Sequence, residues 1–315
     1  MNNLKKVGLT ALAGALVSVS ANAADLSVTG GASISFAGEE QTTKGNGWSM
    51  NDGITFTASG EMDNGWNITV TQIIDSSDGA ASAIMDTRTL AIDMGDNGTL
   101  TFAGDGGSSV LDAKDDVTPN AGEEAWADVT GASAAPGGVA GNNMFHYSNS
   151  SLMDGMTIMA AYQPSNGTTD VESSSDYGVE YTGIDGLTVG AATGEDNSSA
   201  TAGVETTTMY VTYAMDAFTV GYQTTEDDSE TASSDVDFSA IGISYAVSED
   251  VSISLNSSTH EYESASLTDQ DATGISISYT MGSMTLKANH NKVDNLAGDS
   301  TKDRSGYAMS LGFTF

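Results

Sequence analysis

Along most of the chain, apolar and polar residues trade places at every second position. In ITFTASG, Ile54, Phe56 and Ala58 fall on one side and Thr55, Thr57 and Ser59 on the other; MYVTYAM repeats the pattern with Met209, Val211, Tyr213 and Met215. Successive side chains of a strand point to opposite faces, so this period marks β-strands with one apolar and one polar face. The pattern predicts sixteen strands, at 26–39, 50–61, 65–75, 87–95, 98–105, 143–150, 156–164, 175–183, 186–194, 206–215, 217–225, 237–248, 251–261, 272–281, 283–292 and 305–315. Lengths of about ten residues suit strands that cross a bilayer at a tilt of about 45°.

The links between these strands alternate in length. MDNG, DNG, MDG, IDG, MDA, SED and MGS are tight, and their Asp-Gly and Asn-Gly pairs are hairpin signals. Between them come SNGTTDVESSS, EDNSSATAGVE, EDDSETASSDV and other long runs of Ser, Thr, Asp and Gly. One rim is trimmed and the other fringed, as in transmembrane barrels; a soluble sandwich or a solenoid has no reason to sort its loops this way. Hydrocarbon offers no partner for a free N–H or C=O, so a sheet in lipid must close on itself. The predicted fold is all-β: a sixteen-stranded antiparallel transmembrane β-barrel, apolar outside, with Ser, Thr and Gly around a wet bore.

Composition narrows the picture. MNNLKKVGLTALAGALVSVSANA sets Lys5 and Lys6 before an apolar run from Val7 to Val19, then Ala21-Asn22-Ala23. That is the three-part pattern of a secretory signal, predicted over 1–23 with cleavage between Ala23 and Ala24, leaving 24–315 as the mature chain. No other stretch reads as a transmembrane helix. The chain has no cysteine, so an exported protein here uses no disulfides. Its formal net charge is -34, which excludes nucleic acid as a partner.

Four stretches carry a family likeness. DLSVTGGASISF resembles the opening strand of the sixteen-stranded bacterial general porins, and TRTLAIDMGDNGTLTFAGDGG the strand-turn-strand before their inward-folded third loop. NNMFHYSNSSLMDGMTIMAAYQPS is similar to the strand and hairpin after that loop, and SLGFTF to the aromatic C-terminal signal. The resemblance implies a homotrimer in the bacterial outer membrane, reached through the periplasm and surrounded by lipid bilayer and lipopolysaccharide. It implies passive diffusion of small hydrophilic solutes, a last strand paired with the first, and Phe313 and Phe315 as a signal read by the outer-membrane assembly machinery.

The longest link, 106–142, lies where the family has its constriction loop. It carries Asp112, Asp115, Asp116, Glu123, Glu124 and Asp128 against Lys114 alone. Such an acidic eyelet favours cations, because carboxylates raise the local cation concentration. Family eyelets face a basic ladder on the opposite wall. Here candidate wall residues are Arg88, Asp93, His146, Glu180 and Lys287. Arg88 occupies a family wall position, yet it shares parity with Leu90 and Ile92, which points it outward unless a bulge intervenes. The ladder is therefore depleted. Acidic runs such as EDDSE offer oxygen ligands for loop-bound Ca2+, but no spacing matches a defined Ca2+ loop. No cofactor is expected, and no catalytic constellation emerges: His146, His260 and His290 lack metal-ligand spacing, and GGSSV is no nucleophile elbow. The competing functional class is a non-transport structural or adhesive barrel with acidic ion-binding loops.

Overall fold

Sixteen strands hydrogen-bond into one closed barrel, each antiparallel to its neighbours. The computed structural model describes residues 25–40, 47–76, 85–167, 171–198 and 203–315. Ala23 and Ala24, where the signal cleavage is predicted, lie outside the described residues. The barrel strands are β1 (Asp25–Glu39), β2 (Trp48–Glu61), β3 (Asn67–Ser76), β4 (Met85–Asp93), β5 (Thr99–Asp105), β6 (Met144–Met153), β7 (Met156–Gln163) and β8 (Ser174–Ile184). They continue as β9 (Leu187–Asp196), β10 (Val204–Met215), β11 (Phe218–Ser229), β12 (Val236–Ala246), β13 (Val251–Tyr262), β14 (Gln270–Met281), β15 (Met284–Asp294) and β16 (Arg304–Thr314). Among the described residues no helix is long and apolar enough to cross a membrane.

Several strands outrun their predicted ends. The apolar period of β11 fades after residue 225, yet its ladder continues to Ser229, with Glu226 opposite Asp237 of β12. Hydrophobic alternation marks only the stretch in lipid. Backbone pairing continues beyond it into polar surroundings, where the sequence carries no apolar signal.

Closure is made by β1 and β16, paired from Gly31 opposite Thr314 to Glu39 opposite Gly306. Gly30 and Phe315 exchange backbone hydrogen bonds of 2.8 and 2.9 Å. A Cβ on Gly30 would stand 2.8 Å from the Phe315 ring, so glycine lets that ring lie against the seam. At the trimmed rim, Asp216 takes φ 53° in the MDA turn, a left-handed conformation that Asp tolerates better than most residues.

The two faces of the wall invert the pattern of a soluble protein. Outside, Val211 stands opposite Tyr222, Tyr222 opposite Ile241, and Leu255 opposite both Ile243 and Ile275. Inside, Gln223, Gln270 and Asn291 are fully buried, at 0% exposure. An apolar exterior with a polar interior is stable only where the exterior meets lipid, and the closed ladder leaves no edge to satisfy there.

Candidate constriction site

Segment 106–142 leaves β5, folds inside the barrel and returns to β6. Its two ends are tied by the short ladder of Gly107 with Gly141 and Ser108 with Ala140. A chain inside a barrel leaves its N–H and C=O groups in need of partners. Side chains at inward positions of the wall supply them, strand after strand.

The first anchor is Asp176 on β8, only 3% exposed. Its carboxylate accepts from Val110 N (3.1 Å) and Leu111 N (3.2 Å), while Ser109 Oγ accepts from Asp112 N at 3.2 Å and starts the short turn Asp112–Lys114. Gln223 on β11 donates to the carbonyls of Lys114 (2.9 Å) and Asp115 (2.8 Å) and accepts from Val117 N at 3.0 Å. Pro119 then presses on the wall where it has no side chain: a Cβ on Gly221 would meet its ring at 2.4 Å. Asn291 on β15 donates to the carbonyls of Glu124 (2.9 Å) and Ala127 (2.7 Å). Thr130 is gripped at both backbone groups across the closing seam, its N–H by Glu39 Oε1 at 2.5 Å and its carbonyl by Arg304 Nη1 at 2.9 Å. Two apolar clusters back these bonds, one around Val110, Leu111, Val139 and Met144, the other around Ala125, Val129, Val293 and Leu296. Each fully buried Val or Leu there contributes about 1.5–3 kcal/mol.

The six acids of the segment occupy one continuous run along this path. Asp112, Asp115 and Asp116 sit near β8 to β11 and form no ion pair among the described residues. Glu123 lies 3.9 Å from Lys287 Nζ, Glu124 accepts from Asn120 Nδ2 at 2.9 Å, and Asp128 accepts from Asn289 Nδ2 at 2.8 Å. They share one field. Burial pushes the Asp115 carboxyl up to about 7, helped by the charges of Asp116 and Asp112. Burial also raises Asp116. Glu123 and Glu124 are raised by burial first, with the Asp116 charge adding to both and Lys287 opposing at Glu123.

The candidate wall residues scatter. Glu180 on β8 receives Lys114 Nζ at 2.8 Å and Tyr210 OH at 2.5 Å, so the one lysine of the segment is spent on a wall carboxylate. Lys287 also donates to the Gly122 carbonyl at 3.3 Å. His146 holds an inward position opposite Thr101 and Ala161. Asp93 sits at the end of β4, where its Oδ1 accepts from Gly95 N at 2.9 Å and caps a turn. Arg88 departs from its place on the pore wall. It stands opposite Gln72, which stands opposite Phe56 and so belongs to the outward row. On the β3 side the register runs unbroken from Leu90 to Arg88, and the shift between Arg88 and Thr89 on the β5 side is taken up by the extra residue Gly104 of β5, so its parity with Leu90 is kept. Among the described residues Lys114, Lys287, Lys292, Lys302 and Arg304 are each ion-paired with a carboxylate.

The partners of the segment, Asp176, Gln223, Gln270 and Asn291, were missed in the sequence. Their signal was a large amide or acid at an inward position amid Ser, Thr and Gly. The other side of the bore is bare: on β1 to β3, Thr29 and Asn51 are exposed and Thr55, Thr57, Thr69 and Thr71 half-buried. No group of three or more His, Asp or Glu among the described residues is placed to hold a metal ion.

Known proteins share this architecture. Residues 8–264 match the sequence model of a family described as Gram-negative porin. Among solved structures, an anion-selective porin from Comamonas acidovorans superposes with a TM-score of 0.74 at 12% identity, covering 93% of this chain and 100% of that one. OmpF of Salmonella typhi, solved with daunomycin, gives 0.70 at 13% identity over 93% of this chain and 98% of that one. The trimer form of OmpT, an outer membrane protein of Vibrio cholerae, gives 0.68 at 12% over 93% and 100%. No curated protein matches. At these identities the structures speak for the fold.

Proposed function

The chain belongs to the Gram-negative porin family of the bacterial outer membrane, and from that membership we propose a water-filled channel that passes small hydrophilic solutes by passive diffusion and prefers cations. The observation that carries the preference is the imbalance of charge: Asp112, Asp115 and Asp116 of the inserted segment have no basic partner among the described residues, while five of the basic side chains are already neutralised by carboxylates. Fold does not set the sign, since a protein of the same architecture is an anion-selective porin; the fixed charges do. A wet path is supported by the bare wall of β1 to β3, whose hydroxyls keep their access to solvent while those of β10 to β15 are covered by 106–142. That segment is the constriction in this reading. Conduction then needs no energy source, only weak sites that release what they attract.

Self-association follows the trimer form of the Vibrio cholerae relative, and Phe313 and Phe315 are proposed as the assembly signal beside the seam. The test is single-channel recording of the refolded protein across a KCl gradient. A reversal potential of cation sign is expected. An anion sign contradicts the acidic eyelet, and absence of conductance favours a structural or adhesive barrel.

A further inference from the structure

His260 is the most deeply buried titratable ring facing the inside of the barrel, at 2% exposure. It lies on β13 at the contact between the wall and residues 126–134. Its Nε2 is 2.7 Å from the Ala134 carbonyl, which accepts only, so Nε2 carries the proton. Its Nδ1 faces Gln270 Nε2 at 3.5 Å. The Gln270 amide cannot turn over without loss: its Oε1 accepts from Ser133 N and from Ala297 N, both at 2.9 Å, and its Nε2 donates to Ser133 O at 3.0 Å. The donor side of that amide is therefore aimed at Nδ1, which must act as an acceptor. The network specifies neutral imidazole.

The surroundings reinforce this. The ring packs 4.8 Å from Phe238 and stacks at 6.4 Å on Tyr262, and Phe238 in turn meets Trp126 of the segment edge-on at 5.5 Å. The titratable groups on the neighbouring elements are engaged elsewhere or belong to the outward row. Tyr262 turns its hydroxyl to Ser133 Oγ at 2.7 Å, and Asp128 accepts from Asn289. Asp237 of β12 and Glu261 of β13 stand opposite one another in the outward row, and Asp271 of β14 accepts from Thr259 Oγ1 at 2.8 Å. Beyond β14, Asp294 pairs with Lys292 and Asp299 with Lys302. None of these carboxylates bonds the ring among the described residues.

We propose that His260 is an acid-sensitive latch that holds residues 126–134 against the wall when neutral and releases them when protonated. A second proton on the ring would set an Nδ1–H against the Gln270 amide hydrogens, a donor facing a donor, and would leave an imidazolium buried between aromatic rings. Histidine is the side chain whose charge changes in mildly acidic water. The wall lies behind the segment, so a released segment moves into the bore and conductance falls as the pH drops. The inference rests on reading 106–142 as the constriction, so its test reads the segment itself.

The chain has no cysteine, and the Ala134 side chain is exposed, so Ala134→Cys accepts a single nitroxide label in the refolded protein in lipid vesicles. Electron paramagnetic resonance should show an immobilised label at about pH 7.5 and a mobile fraction several-fold larger, roughly three- to tenfold, at about pH 4.5. Adding His260→Gln, whose amide donates to the Ala134 carbonyl without titrating, should abolish that response. An unchanged spectrum in the His260 protein overturns the latch whatever the variant does, and a response that survives His260→Gln overturns it equally. Conductance recorded in parallel separates the two readings: a mobile label with unchanged conductance keeps the latch and removes the segment from the constriction.

Discussion

The inner wall of this barrel has two halves built from the same backbone and different side chains. On β1 to β3 the inward positions are mostly Ser, Thr, Asn and Gly, short groups that water can satisfy, with Glu39 at the rim reaching the segment. On β11 to β15 the inward positions include Gln223, Asn256, His260, Gln270, Asn289 and Asn291, groups long enough to reach another chain and carrying both donors and acceptors. The segment 106–142 runs from Asp176 on β8 along this second half to Glu39 and Arg304 at the seam. The contrast teaches that a barrel marks the resting place of an inserted loop by the size and hydrogen-bonding capacity of its inward residues. Each amide replaces water at a loop carbonyl or N–H, and an unmet group there would cost about 1–3 kcal/mol.

Exchanging the character of the two faces should have the largest effect. Leu255 projects from the outer wall at 57% exposure, and Leu255→Arg should destabilise the barrel by about 2–4 kcal/mol if it lies near the midplane. Thr57→Arg, on the bare inner wall, should stay within about 0.5 kcal/mol of the parent while shifting the reversal potential toward anions. Urea unfolding in lipid vesicles measures the first and bilayer recording the second. Equal costs for the two would mean that the faces have been misassigned.

A smaller loss is expected on the covered half. Gln270→Leu leaves Ser133 N, Ser133 O and Ala297 N without their partner. The expected cost is about 2 kcal/mol, below the sum for three orphaned groups because lumen water can reach some of them. The same unfolding measurement checks it.

The mildest perturbation is pH. The Asp115 carboxyl, raised to about 7, is largely neutral at pH 6 and charged at pH 8. Cation preference should therefore strengthen across neutrality. The sign for stability is opposite: a raised carboxyl favours the folded state while protonated, so the docking of residues 114–117 on Gln223, apart from the 126–134 stretch held at His260, weakens as pH rises from the ordinary carboxylate range through about 7. Asp115→Asn should flatten the change in reversal potential across this window. A slope as steep as the parent's would assign the titration to another group.

Much of this architecture was legible in the chain. Alternation located the sixteen strands, and turn chemistry located the short rim. Arg88 keeps the outward parity of Leu90 against its family position, because the bulge between them puts its extra residue, Gly104, in β5 and not in β4. What the sequence could not show is which wall the inserted segment leans on. Asn291 and Glu124 are 167 residues apart, and they meet only because the sheet closes on itself. Residues 106–142 have no period of their own, so their conformation is imposed by wall side chains that a strand-by-strand reading treats as polar filler. Asp176 and His260 sit in strands whose alternation was plain, yet their roles depend on what lies across from them.

In the proposed channel an inserted acidic segment narrows a wet, closed barrel. Removing residues 110–130 and recording single channels tests it most directly. The barrel should stay intact, with a conductance roughly two- to threefold higher and a weaker cation preference. An unchanged conductance in a folded deletion variant would contradict it.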